Sequence, residues 1–218
     1  PSLPRSMPGA PARPQAFPKR RNRPAGIQTV NATVVTAEES GIGMVEMFRL
    51  EPGEDLLRRL LTEIFVEHWE HIVFGSLIQG AVFELTAEAP GEVSMLDGYL
   101  TAVFGRSHMH LCIGDHRGRR ANPTDVGLAR HRRTARAEFF RTLSPEDGAP
   151  TSWGFRMFNG AGEQQLTIFL PNPFLSDDMQ VLKDPDWSRL CLWDLLRANY
   201  LGLDPVLKDR AAKRFWHA

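Results

Sequence analysis

Between Glu54 and Phe74 apolar side chains return at the spacing of a helix. At about 100° per residue, Leu57, Leu60, Leu61, Ile64, Phe65 and Ile72 share one arc and Arg59, Glu63 and Glu70 lie opposite. The pattern predicts an amphipathic helix over residues 54–74. His68 and His71 fall inside its apolar arc, where an imidazole without a partner costs about 1–3 kcal/mol. Elsewhere the period shortens to two. Thr29 to Val35 and Met44 to Leu50 read as strands, as do Ala81 to Ala87, Glu92 to Leu96 and Tyr99 to Phe104. Asp97-Gly98 is a tight-turn dipeptide between the last two. A second hairpin is marked at Trp153 to Asn159 and Glu163 to Leu170, with Arg156 in its first strand needing an anion or an edge. Helical spacing is read again from Pro123 to Leu143, capped by Asn122 or Thr124. Val126, Ala129, Ala137 and Phe140 form its stripe, with Arg133 on it and Arg136 beside it. Asp186 caps a helix carrying Trp187, Leu190, Trp193 and Leu196, which ends near Gly202 and Pro205. A final short helix holds Phe215, Trp216 and His217.

These elements predict an α+β fold, an antiparallel meander sheet packed with a few helices. Composition divides the chain. Residues 1–26 hold seven of the 16 prolines and six bases (Arg5, Arg13, Lys19, Arg20, Arg21, Arg23) with no acid. Proline at that density blocks helix and ladder, so a disordered or extended Pro/Arg-rich N-terminal arm is predicted. Residues 27–218 form a single domain with 20 bases against 26 acids. The arm's K-R-R-N-R cluster and the C-terminal aromatics suit a protein partner or a homo-oligomer. Nucleic acid is disfavoured, because the folded part is net acidic and its arginines lack interleaved aromatics. No apolar run approaches the ~20 residues of a membrane span. Two cysteines, Cys112 and Cys191, in apolar segments fit reduced thiols, and the expected location is cytoplasmic, with Met7 a candidate natural start. No Gly-rich nucleotide loop, C-x-x-C, H-E-x-x-H or G-x-S-x-G motif occurs.

The chemistry concentrates in S-H-M-H-L-C-I-G-D-H-R-G, residues 107–118, which holds three of the seven histidines. On a strand His108, His110 and Cys112 project from one side and Met109, Leu111 and Ile113 from the other. The turn at Gly114 then brings Asp115 and His116 back toward the first two rings. Imidazoles in this pattern collect divalent metal, and His68 and His71 supply a second ligand-bearing element. The predicted metal ligands are therefore His108, His110, His116, His68 and His71. In spacing alone, His108-x-His110 resembles the two-histidine strand of alpha-class carbonic anhydrases. That resemblance spans three residues and implies a metal-bound hydroxide.

Arg133, Arg136 and Arg117 complete the expectation, since a guanidinium grips a carboxylate or phosphate in a planar fork. The leading reading is a metal-dependent enzyme with a mononuclear histidine site acting on a small anionic molecule. Zinc would supply hydration or hydrolysis, and iron or copper oxygen or redox chemistry. The alternative is a non-catalytic subunit or assembly factor that uses the basic arm and C-terminal aromatics. A third reading is a metal-free protein whose histidines and arginines hold an organic anion.

Overall fold

The computed structural model describes residues 33–78 and 80–216, without the side chain of Ile78. The N-terminal arm and His217 lie outside the described residues. The fold is α+β, as the alternation of periods predicts. One antiparallel sheet has six strands in the order β1 (Val34–Glu39), β2 (Gly43–Leu50), β11 (Thr134–Leu143), β12 (Pro150–Asn159), β13 (Gln164–Phe169) and β3 (Val73–Gly75). The short strands β4 (Leu77–Ile78) and β5 (Ala81–Val82) pair with each other. A second sheet of β6 (Glu92–Leu96), β7 (Tyr99–Phe104) and β8 (Ser107–Cys112) is the expected meander. Strands β9 (Gly118–Arg119) and β10 (Asn122–Pro123) form a small hairpin. The large sheet is no simple meander, because everything from α1 to α2 is inserted between its neighbours β2 and β11.

A single apolar core joins both sheets to two helices, α1 (Glu54–Thr62) and α3 (Cys191–Leu201). Phe65, Phe74 and Phe104 meet with ring centroids 4.9–5.3 Å apart, tying the turn that follows α1 to one strand of each sheet. Trp193 of α3 sets its ring edge-on to Phe48 and Phe139 at 5.8 and 6.1 Å, seating that helix on the large sheet. Tilted and edge-on contacts of this kind add stability beyond the apolar area they bury.

Two predicted helices are shorter than their patterns suggest. The first keeps its apolar arc, with Leu57, Leu60, Leu61, Ile64 and Phe65 fully buried. It passes into a π turn at Glu63–Glu67 and a 3-10 turn at Trp69–His71, and Phe74 lies in β3. The wider π turn ends the helical stripe, yet His68 is buried, as its place in the apolar arc predicts, and His71 is half-buried in the 3-10 turn. His68 leaves helical geometry at φ −129°, with its N–H still bonded to the Ile64 carbonyl. The second is α2 (Val126–Arg132), capped by Asp125, whose carboxylate accepts the Leu128 N–H. Neither Asn122 nor Thr124 is the cap, and 134–143 is the central strand β11. Ala137 and Phe139 face the main core, and Glu138 and Phe140 the other side, a two-residue alternation hidden by helix-favouring Ala, Arg and Glu. The stripe joining Val126 to Phe140 therefore does not exist. The expected C-terminal helix at Phe215 and Trp216 is absent, and a 3-10 turn at Leu207–Arg210 ends the regular structure among the described residues. Asp186 caps the turn before α3 as predicted, accepting the Ser188 N–H at 3.0 Å. No helix among the described residues is long and apolar enough to cross a membrane.

Candidate functional site

The alternation read in residues 107–113 survives in β8. Leu111 and Ile113 enter the core and Met109 packs against it, while His108 and His110 stand exposed on the opposite face. Pairing with β7 places Val103, Thr101 and Tyr99 beside His108, His110 and Cys112. The Thr101 hydroxyl lies 2.8 Å from His110 Nδ1, which leaves Nε2 for another partner. The two histidine rings meet edge-on at 5.2 Å.

His116 is placed elsewhere. The Asp97-Gly98 turn requires left-handed backbone, with φ of 47° and 77°. A side chain at Gly98 would stand 2.6 Å from the Asp115 carbonyl, so only glycine lets the 114–118 loop close onto this turn. The Asp97 carboxylate accepts the N–H groups of Arg117 and Gly118 at 2.9 Å each, and these bonds hold its pKa below the ordinary value. His116 Nδ1 lies 2.9 Å from the same carboxylate, and its ring is edge-on to Tyr99 at 4.9 Å. His68 is buried at the end of the π turn, and burial holds its pKa below the ordinary imidazole value. Among the described residues no three His, Cys, Asp or Glu side chains converge on a position that would hold a metal ion.

The arginines separate likewise. Arg133 ends α2 and donates to Asp115 at 2.6 Å near solvent. Arg136 lies 3.6 Å above the Phe158 ring and 3.7 Å from Glu138, and Arg117 contributes its backbone N–H to Asp97. None of the three borders the cleft that receives His110.

That cleft, about 530 Å³, opens along β8, an edge strand, and faces the segment from Gly75 to Leu85. Because it follows a strand edge, residues from both faces of β8 line it: His110 and Cys112 from one, Met109 and Leu111 from the other. Phe83 and Leu85 form the facing wall, and Tyr99, Arg132, Asn159 and Gln165 supply polar groups. Burial pushes the Cys112 thiol up, with Tyr99 and Arg132 opposing that shift. Burial also raises the Tyr99 phenol, and the Arg132 charge again works the other way. Both groups are thus neutral hydrogen-bonding partners at pH 7, and Arg132 is the cleft's cation.

Arg132 is held in place through its backbone. The Gln165 amide donates to the Arg132 carbonyl at 2.8 Å and its oxygen accepts the Thr134 hydroxyl at 2.8 Å. Next to it, His131 Nε2 lies 3.0 Å from Glu163, and the His131 carbonyl accepts the Gly160 N–H. The last turn of α2 is clamped onto the β12–β13 hairpin. Sequence reasoning missed Arg132, Gln165 and Tyr99 as site residues. Ending the helix where the two-residue alternation begins would have put Arg132 in its last turn, beside the sheet.

The crystal structure of ChuX is similar at 14% identity with a TM-score of 0.32, over 63% of this chain and 68% of ChuX, too distant to carry an argument. No curated protein matches the chain. Residues 34–202, most of the described fold, match a family described as a family of unknown function (DUF7676), and the chain belongs to that family.

Proposed function

We propose that this protein binds a small organic anion, a carboxylate above all, in the cleft along β8. The observation that carries the reading is the division of the cleft's lining, with Arg132, His110 and Tyr99 as polar groups against an apolar wall of Phe83, Leu85 and Met109. Ligand sites take this form, a mostly apolar surface with a few polar groups that fix orientation. Arg132 supplies the charge and a planar fork, and His110 Nε2 a second contact. Calorimetric titration with octanoate tests it. Replacing Arg132→Ala is expected to weaken binding roughly tenfold or more, since hydrogen bonds to charged groups are worth about 1.5–3 kcal/mol. Arg133→Ala and Arg136→Ala should bind as the wild type does. No octanoate binding, or equal losses in all three variants, would refute the reading.

A second reading rests on the exposed pair His108 and His110, whose rings stand 5.2 Å apart. Two imidazoles on one strand face suit a divalent ion completed by a ligand from outside the pair. It predicts stoichiometric zinc uptake that is lost in His110→Ala. Zinc uptake unchanged in that variant would remove it.

A further inference from the structure

The apolar wall of the cleft is open to solvent. Phe83 and Leu85 are 59% and 44% exposed, and the preceding hairpin adds Val82 at 62% and Leu77 at 41%. Leu77 and Val82 are cross-strand partners. In this register Phe83 and Leu85, two positions apart, share one side of the segment and Leu77 and Val82 the other, so Phe83 and Leu85 form the exposed apolar strip that lines the cleft and that water leaves at a gain.

The backbone beneath this surface is fixed. Phe74 and Leu85 exchange both backbone hydrogen bonds, at 2.8 and 3.0 Å, and the Phe83 N–H donates to the Ser76 carbonyl. The Phe83 carbonyl approaches Gly75 so closely that a Cβ there would stand 1.6 Å from it. The exposed side chains are therefore presented by a segment laid tightly onto β3. A cation and a fixed apolar strip lining one cleft suit an amphiphile.

Resting on the anion-binding reading, we propose that the ligand is a long-chain carboxylate, its head at Arg132 and His110 and its chain along Phe83 and Leu85. That one cleft holds both this strip and the Arg132 cation selects this occupant over a second copy of the chain or another protein. Each methylene withdrawn from water is worth about fourfold in affinity. A chain half covered by the strip should gain roughly tenfold from octanoate to dodecanoate.

The test is a calorimetric series of acetate, octanoate and dodecanoate, each below its micelle threshold, with the full chain and with a Phe83→Ser/Leu85→Ser double variant. Both side chains are exposed, so circular dichroism and the melting temperature should show the variant folded. The expected result is rising affinity with chain length in the wild type and loss of the octanoate-to-dodecanoate gain in the variant. Arg132-dependent octanoate binding with no gain for dodecanoate, or a gain that survives in the variant, overturns the long-chain assignment and leaves the anion site standing. Failure of every carboxylate to bind overturns both. Sedimentation that shows a dimer split by the double variant, without a chain-length gain, assigns the strip to a second copy and also overturns the proposal.

Discussion

His68 reports how burial acts on one side chain. Its ring is taken out of water where the π turn ends, and desolvation lowers its pKa against the opposing pull of Glu63 and Glu67. The unfolded chain takes up a proton near the ordinary value of about 6.5, whereas the folded protein resists doing so. Above that pH both states are neutral at this ring and its contribution to stability is complete. As pH falls through about 6.5 toward the lower folded pKa, protonation favours the unfolded chain, so stability declines. Urea denaturation at pH 7.5 and 5.5 should show a larger loss for the wild type than for His68→Gln. An identical loss in the two proteins would mean that the buried ring is not a source of acid sensitivity.

At the scale of elements, legibility followed how well local pattern and tertiary placement agree. Strand β8 and the Asp97-Gly98 hairpin were readable because alternation and turn chemistry point the same way there. The hairpin of β12 and β13 was readable for the same reason, and Arg156 found its anions in Glu39 and Glu138. Strand β11 was not, since its Ala, Arg and Glu favour a helix and only pairing with β2 and β12 makes it a strand. That error moved Arg133 and Arg136 onto an imagined stripe and hid Arg132. The histidines show the other limit. Type and spacing placed His108 and His110 side by side, but whether His116 or His68 joins them depends on loop closure and on a π turn, neither of which leaves a periodic trace. The cleft was wholly illegible, because it lies between segments more than 20 residues apart in sequence.

Across the whole molecule, the C-terminal segment is fastened to the large sheet by buried charge. Asp209, on the 3-10 turn at Leu207–Arg210, is fully buried. It accepts the indole N–H groups of Trp153 and Trp193 at 3.2 and 3.0 Å and Arg197 at 3.0 Å, and it pairs with Arg141. Arg141 also bonds Glu46 of β2, and Lys208 reaches that carboxylate at 2.8 Å. One carboxylate thus joins β11, β12, α3 and the C-terminal turn. Removing it leaves Arg197 without that partner in the interior and two indole N–H groups unsatisfied, so its loss should exceed that of an ordinary ion pair. Asp209→Ala is expected to cost on the order of 3–5 kcal/mol, the range for breaking a buried pair from one side. Asp178→Ala, at an exposed position, should change stability by less than about 0.5 kcal/mol. The decisive comparison is the double variant Asp209→Leu/Arg197→Met, which removes one of the two cations along with the acid. If the cost is that of stranded charge, the double variant regains part of the stability lost by Asp209→Ala in urea denaturation. If it is no more stable than the single variant, the cluster holds the turn by its hydrogen-bond geometry and not by charge compensation.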